Sequence, residues 1–366
     1  MAGRIVLFGA TGYTGRLVAA SLVDRGARPV LAGRNADSLA QLATELGGEL
    51  ETRTADVDRP ETVRALVERG DVLVSTVGPF NRWGAPAVEA AIDAGAHYID
   101  STGEPPFIRR VFEEWGPRAK AAGVGLLTAF GYDYVPGNLA GALALEDAGD
   151  GATTVAVGYF FTGKGGSARD AMSGGTASSL AGGALEPHFA FRDGAIKAER
   201  SAKRVRSFDS GDKKLTGISI GSTEHFGLPA VYPSLREVDA YLGAFGPASR
   251  AMQAFSLAGA VPGARQGFGA LAGRLVKGSS GGPDVEARSR TGTRLVAEAA
   301  DTRGNLLARV EMRGPNGYTF TGDSIAWGAQ RAAEHGVEGA GALGPVGGFG
   351  LRVLEAGCAE IGLTRA

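Results

Sequence analysis

Apolar runs of three to five residues alternate with stretches of helical spacing through the first third of the chain. Ile5–Phe8 is continuously apolar, and Leu17, Val18 and Leu22 then fall on one helical face. Residues 29–32 form a second run, followed by a helix over 36–46 with Leu39, Leu42, Ala43 and Leu46 aligned. A short strand at 50–54 precedes a helix near Pro60 with Val63, Leu66 and Val67 as its apolar face. Val72–Val74, a helix over 87–94, the strand 97–99, a helix over 106–122 and the strand 124–128 complete the series. Continuous apolar runs separated by helices predict parallel strands buried on both faces.

From about Thr153 the pattern changes. Val155, Val157, Tyr159 and Phe161 alternate as in a half-buried strand. Gly163 to Ser167, Ser173 to Gly183, Arg192-Asp193-Gly194 and Pro315-Asn316-Gly317 read as turns between antiparallel strands. Helical spacing returns near Asp323 and again at 353–361. The fold expected is α/β: a Rossmann-type parallel sheet domain over 1–150, a mixed α+β substrate or dimerisation domain over 151–322, and C-terminal helices over 323–366. The pattern leaves open whether those helices return to the first domain.

Composition narrows the classes. With 366 residues, 44% hydrophobic and 21% charged, the chain is globular and long enough for two domains. A net charge of −1 offers no field for nucleic acid or an anionic membrane. The basic stretch 197–214 lacks interleaved aromatics and reads as a solvated hairpin face. Cys358 is the single cysteine, so an internal disulfide and a thiol-rich zinc site are excluded. No apolar stretch approaches the ~20 residues needed to span a bilayer. A strand beginning at once leaves no room for a leader, so a cytoplasmic location is expected.

The chemistry is concentrated at the ends of the predicted strands. Gly9-Ala10-Thr11-Gly12-Tyr13-Thr14-Gly15 lies between strand and helix, where glycines admit a pyrophosphate to free N–H groups. A site preferring NAD usually carries a carboxylate at the end of the second strand. Here Arg34 and Asn35 stand there, and a guanidinium suits a 2′-phosphate, so NADP(H) is expected over NAD(H). Asp56 and Val57 would sit beside adenine, and Thr76, Gly78 and Pro79 near the nicotinamide. No two histidines share metal-ligand spacing, so no metal is expected.

Five segments together resemble the saccharopine dehydrogenase-like oxidoreductases, in particular the branch that includes trans-acting enoyl reductases. They are GATGYTG at 9–15, LAGRN at 31–35, VGPF at 77–80, and HYIDSTGE at 97–104 with GYDYVPGN at 131–138. EHFGLP at 224–229 and ALGPVGGFG at 342–350 also look like that branch. The resemblance implies a Rossmann domain followed by an α+β domain that covers the nicotinamide and often supports a homodimer. Short-chain dehydrogenases share the glycine turn but need Tyr four residues before Lys, and no tyrosine here has that partner.

Reducing a polarised double bond also requires a proton donor. Tyr132 is the first candidate, with Glu104 and Asp133 as alternatives; Thr102, Tyr134 and His225 are candidate substrate contacts. Arg169, Arg236 and Arg250 could clamp carboxylates, although no motif pairs them. Aromatic residues of the second domain, Phe160, Phe245 and others, favour an apolar partner molecule. The activity expected is NADP(H)-dependent reduction of an activated C=C bond on an apolar or carrier-borne small molecule. Imine reduction or amine oxidation of the saccharopine dehydrogenase type is the alternative, and a non-catalytic NADPH-sensing regulator is a third reading.

Overall fold

The computed structural model describes residues 3–163, 187–211, 213–243, 249–258 and 281–366. Arg169, Phe245 and the turn segments 164–167 and 173–183 lie outside the described residues. The chain forms two compact units, Met1–Val135 with Gly317–Val353, and Pro136–Asn316 with Leu354–Ala366.

In the first unit β1 (Ile5–Phe8), β2 (Val30–Gly33), β3 (Thr52–Thr54), β4 (Val72–Ser75), β5 (His97–Asp100) and β6 (Gly125–Leu127) lie in the spatial order 3-2-1-4-5-6. A short strand, Gly341–Ala342, runs parallel beside β6. Val6 stands opposite both Val30 and Leu73, which sets the central register. Every residue of β1, β2 and β4 is buried, which explains their unbroken apolar runs. The connecting helices are α1 (Tyr13–Asp24), α2 (Ala36–Glu45), α3 (Pro60–Arg64), α4 (Phe80–Trp83), α5 (Ala85–Ala94), α6 (Pro105–Arg110) and α7 (Gly116–Ala122). They enclose a core that includes Phe8, Leu73, Tyr98, Phe107 and Trp115. α3 is shorter than its periodicity predicts: it ends at Arg64, and Leu66 and Val67 are buried from the turn beyond it. The helix predicted over 106–122 is interrupted by a π-turn at Val111–Trp115.

The helix Gly317–His335 packs against α1 within this unit. Pro315-Asn316-Gly317 is therefore a strand-to-helix junction rather than a hairpin turn. The helical period starts six residues before the expected boundary at 323, because Gly317 and Phe320 are already buried.

The second unit begins with α8 (Val135–Ala148), a helix the sequence reading did not predict. Its two-sided burial leaves no polar stripe to reveal the helical period, with Leu139, Ala140, Ala142 and Leu143 all fully buried. The expected boundary at 150 consequently falls earlier, after Val135. Among the described residues β7 (Thr154–Gly163) is central to a nine-stranded sheet, with β8 (Pro187–Arg192), β9 (Ala195–Arg200), β10 (Val205–Ser210), β11 (Lys213–Ile220), β12 (Glu237–Leu242), β13 (Thr291–Ala300), β14 (Leu306–Gly314) and the short strand Thr364–Arg365. Asp193 and Gly194 join β8 to β9 in a hairpin. Phe208 of β10 meets Phe160 of β7 and Tyr241 of β12 at ring separations of 5.8 and 5.7 Å. The β10–β11 hairpin therefore covers a second face of β7, and residues 155–160 are buried on both sides rather than alternately. Phe161 points to the opposite face with Val157 and Tyr159, which α8 packs against, and is itself 56% exposed. The basic stretch 197–214 is partly neutralised, with Lys203 and Arg204 paired to Glu199. Among the described residues no helix is long and apolar enough to cross a membrane.

Candidate cofactor and active site

The spatial order of the first sheet reverses between β1 and β4, where ligands of such sheets gather. Gly9 leaves β1 at φ +90°, and a β-carbon there would stand 2.7 Å from Thr76 Oγ1. That hydroxyl donates to the Gly9 carbonyl at 3.1 Å, so the loop after β4 braces the glycine turn. Gly15 comes closer still: a β-carbon on it would lie 2.2 Å from the Gly9 oxygen. Gly12 precedes α1, whose first turn has neither a side-chain cap nor an acidic residue. Thr11, Tyr13 and Thr14 line this open helix start, and Tyr13 stacks edge-on to Tyr318 at 5.3 Å. The unopposed N–H groups fit a pyrophosphate.

Arg34 follows β2, exposed, and among the described residues no ion pair holds its guanidinium. Asn35 caps α2, its side-chain oxygen accepting from Ser38 N at 2.8 Å. Asp56 is half-buried and accepts from Asp58 N, while Val57 packs on the core. Gly78 and Pro79 are exposed after β4 and joined by a cis peptide bond. These positions form one strip along the carboxyl ends of β1, β2 and β4. They suit a dinucleotide with a 2′-phosphate at Arg34.

The loops after β5 and β6 are tied together by Asp100, a hub the sequence reading missed. Its carboxylate is fully buried and accepts from Thr102 N at 2.9 Å, Ala129 N at 2.8 Å and Thr128 Oγ1 at 2.7 Å. Burial pushes this carboxyl up to about 6 against the pull of those bonds. The only sequence signal was its place at the end of an apolar strand. Thr102 is buried within the same network, and its hydroxyl accepts from Glu104 N.

Glu104 accepts from Phe80 N at 2.8 Å and Asn81 N at 2.9 Å, one bond to each oxygen. Its observed work is to hold the start of α4 against the end of β5. Tyr132 is buried, its N–H donating to Thr321 Oγ1 and its ring 6.4 Å from Phe320. Burial pushes its phenol well above the ordinary tyrosine value. Tyr134 is buried as well, with its N–H on the Ala129 carbonyl. Asp133, between them, is half-buried, and its carboxyl is raised to about 6 by removal from water.

His225 belongs to the second unit, where it is buried in the helix α9 (Glu224–Val231). Its Nδ1 meets Ser222, and its ring stacks edge-on to Phe189 at 5.5 Å. Burial lowers its pKa to about 4, so the ring is neutral at physiological pH. Beside it the Tyr159 hydroxyl donates to Glu224 within the same interior. Among the described residues no three His, Cys, Asp or Glu side chains could hold a metal ion.

Residues 5–127 match the family model of the saccharopine dehydrogenase NADP-binding domain. The match lies within the first unit and covers about a third of the chain. A Mycobacterium tuberculosis protein named as a trans-acting enoyl reductase is 41% identical over 140 residues, 37% of this chain. The trans-acting enoyl reductase of Mycobacterium leprae is 38% identical over the same length. These alignments span only 33% and 34% of the relatives' own lengths, about a third. Saccharopine dehydrogenase (L-Glu forming) of Saccharomyces cerevisiae aligns over 100% of this chain and 99% of its own, with TM-score 0.59 and 13% identity. Homospermidine synthase of Legionella pneumophila aligns over 100% and 92%, with TM-score 0.60 and 12% identity. At such identities these two structures establish a shared fold.

Proposed function

We propose that the protein is an NADP(H)-dependent reductase of an activated C=C bond on an apolar or carrier-borne small molecule. The observation that carries this reading is the uncapped start of α1 together with an Arg34 that no ion pair holds among the described residues, within residues that match the NADP-binding domain model. The relatives named as enoyl reductases favour a C=C substrate. When bound, the nicotinamide supplies hydride to the β-carbon of the substrate. The chain's part is to hold the pyrophosphate at Gly12–Gly15, pair Arg34 with the 2′-phosphate, and brace the turn through Thr76. The loops after β5 and β6, locked by Asp100, shape the substrate side.

The test is purified protein with NADPH against parallel panels of enones, enoyl thioesters and imines. Consumption of NADPH with enones or enoyl thioesters supports the reading. Turnover confined to imines replaces it with C=N chemistry. Tight NADPH binding with no acceptor turned over would make the protein a nucleotide sensor. The same reading carries a cytoplasmic homodimer, which sedimentation at micromolar concentration checks.

A further inference from the structure

The groups around the loop after β6 divide sharply by how they are held. Asp100 accepts at least three hydrogen bonds and Glu104 at least two. Asp133 differs: among the described residues no hydrogen bond or ion pair reaches its carboxylate. A half-buried carboxylate without partners costs stability and does no structural work in return, and such groups concentrate at functional sites. Its surroundings leave it room. A β-carbon on Gly103, in the loop after β5, would stand 3.0 Å from Asp133 Oδ2, so glycine there gives the carboxyl its place. Neighbouring Tyr132 is fixed by Thr321 and Phe320, with a phenol that burial makes a weaker acid.

We infer that Asp133, rather than Tyr132, is the proton donor of the reductase, a catalytic residue seated in the clearance over Gly103. This rests on the reductase reading above. Once the β-carbon has received hydride, the substrate is an enolate. The Asp133 O–H bond breaks, its electron pair stays on the carboxylate, and the enolate's pair forms the new C–H bond at the α-carbon. Water returns the proton to Asp133. With the carboxyl raised to about 6, a protonated fraction persists close to neutral pH, where a general acid is most effective.

Two readouts separate this role from a structural one. Asp133→Asn removes a charge that burial disfavours, so the cofactor-free variant melts higher than wild type at pH 8, by about 2–4 °C, and the gain shrinks below pH 6. The same variant loses about 10²–10⁴-fold in kcat on the accepted enone, while its Kd for NADPH stays within about twofold. Gly103→Ala, which leaves Asp133 in place but presses on it, lowers kcat by about tenfold with NADPH binding kept. A lower melting temperature for Asp133→Asn at pH 8, or turnover retained in it, overturns the assignment. A wild-type protein inert to every enone and enoyl thioester instead defeats the reductase reading, and the donor assignment falls with it.

Discussion

Gly15 and Gly9 approach so closely that the first turn of α1 rests against the carbonyl of the residue leaving β1. A methyl group at 15 would meet that oxygen at 2.2 Å and the Ala10 oxygen at 2.8 Å. Both are backbone atoms, so relief requires the turn itself to open. Gly15→Ala should abolish measurable NADPH binding by fluorescence titration and lower the melting temperature. Retained binding would show that the turn does not carry the cofactor.

Among the described residues Arg34 has no ion-pair partner, so its removal should leave the fold untouched. Arg34→Ala should weaken NADPH binding by about 10–100-fold while changing NADH binding less than about twofold, with an unaltered melting temperature. Equal loss for both nucleotides would remove Arg34 from the 2′-phosphate.

Glu104 bonds two backbone N–H groups of α4 from the end of β5. Glu104→Ala would leave both donors without their acceptor, at a cost of about 1–3 kcal/mol, read from chemical denaturation. Glu104→Gln keeps one acceptor oxygen and should recover part of that loss. If the alanine variant is as stable as wild type, the contact is incidental.

His225 offers a pH test with a definite sign. Its folded pKa, about 4, lies below the unfolded value near 6.5, so the unfolded chain binds the extra proton between those limits. Stability therefore falls as pH drops from about 6.5 to 4, by on the order of 3 kcal/mol from this residue. Asp100 and Asp133, both raised to about 6, act in the opposite direction, losing stability as pH rises from 4 to 6. The melting difference between wild type and His225→Gln isolates the histidine, and it should narrow on acidification. A pH-independent difference would place the ring in water.

The first sheet was legible because parallel strands covered on both faces leave unbroken apolar runs, as at Ile5–Phe8 and Val72–Val74. The glycine turn and Arg34 were legible because their chemistry is local to one strand end. What escaped depends on distant partners. Phe161 reads as core because it alternates in phase with Val157 and Tyr159, whereas α8 packs on those two and leaves Phe161 exposed. Asp100 reads as a loop residue because its partners Thr128 and Ala129 lie in the loop after β6. Glu104 reads as a candidate acid, and only folding shows which N–H groups claim its oxygens. α8 was hidden because a helix enclosed all round has no polar stripe.

The first unit is written in two pieces, with Gly317–Val353 arriving about 180 residues after Val135. On the ribosome, residues 1–135 therefore emerge without the helix that packs on α1 and without Thr321, the partner of the Tyr132 amide. The nucleotide turn can form early, but the floor beneath Tyr132 waits until Thr321 and its helix have emerged. A gene cut near residue 150 would encode a nucleotide-binding domain with one wall missing, and cofactor would reach a finished site only after Gly317–Val353 has been made.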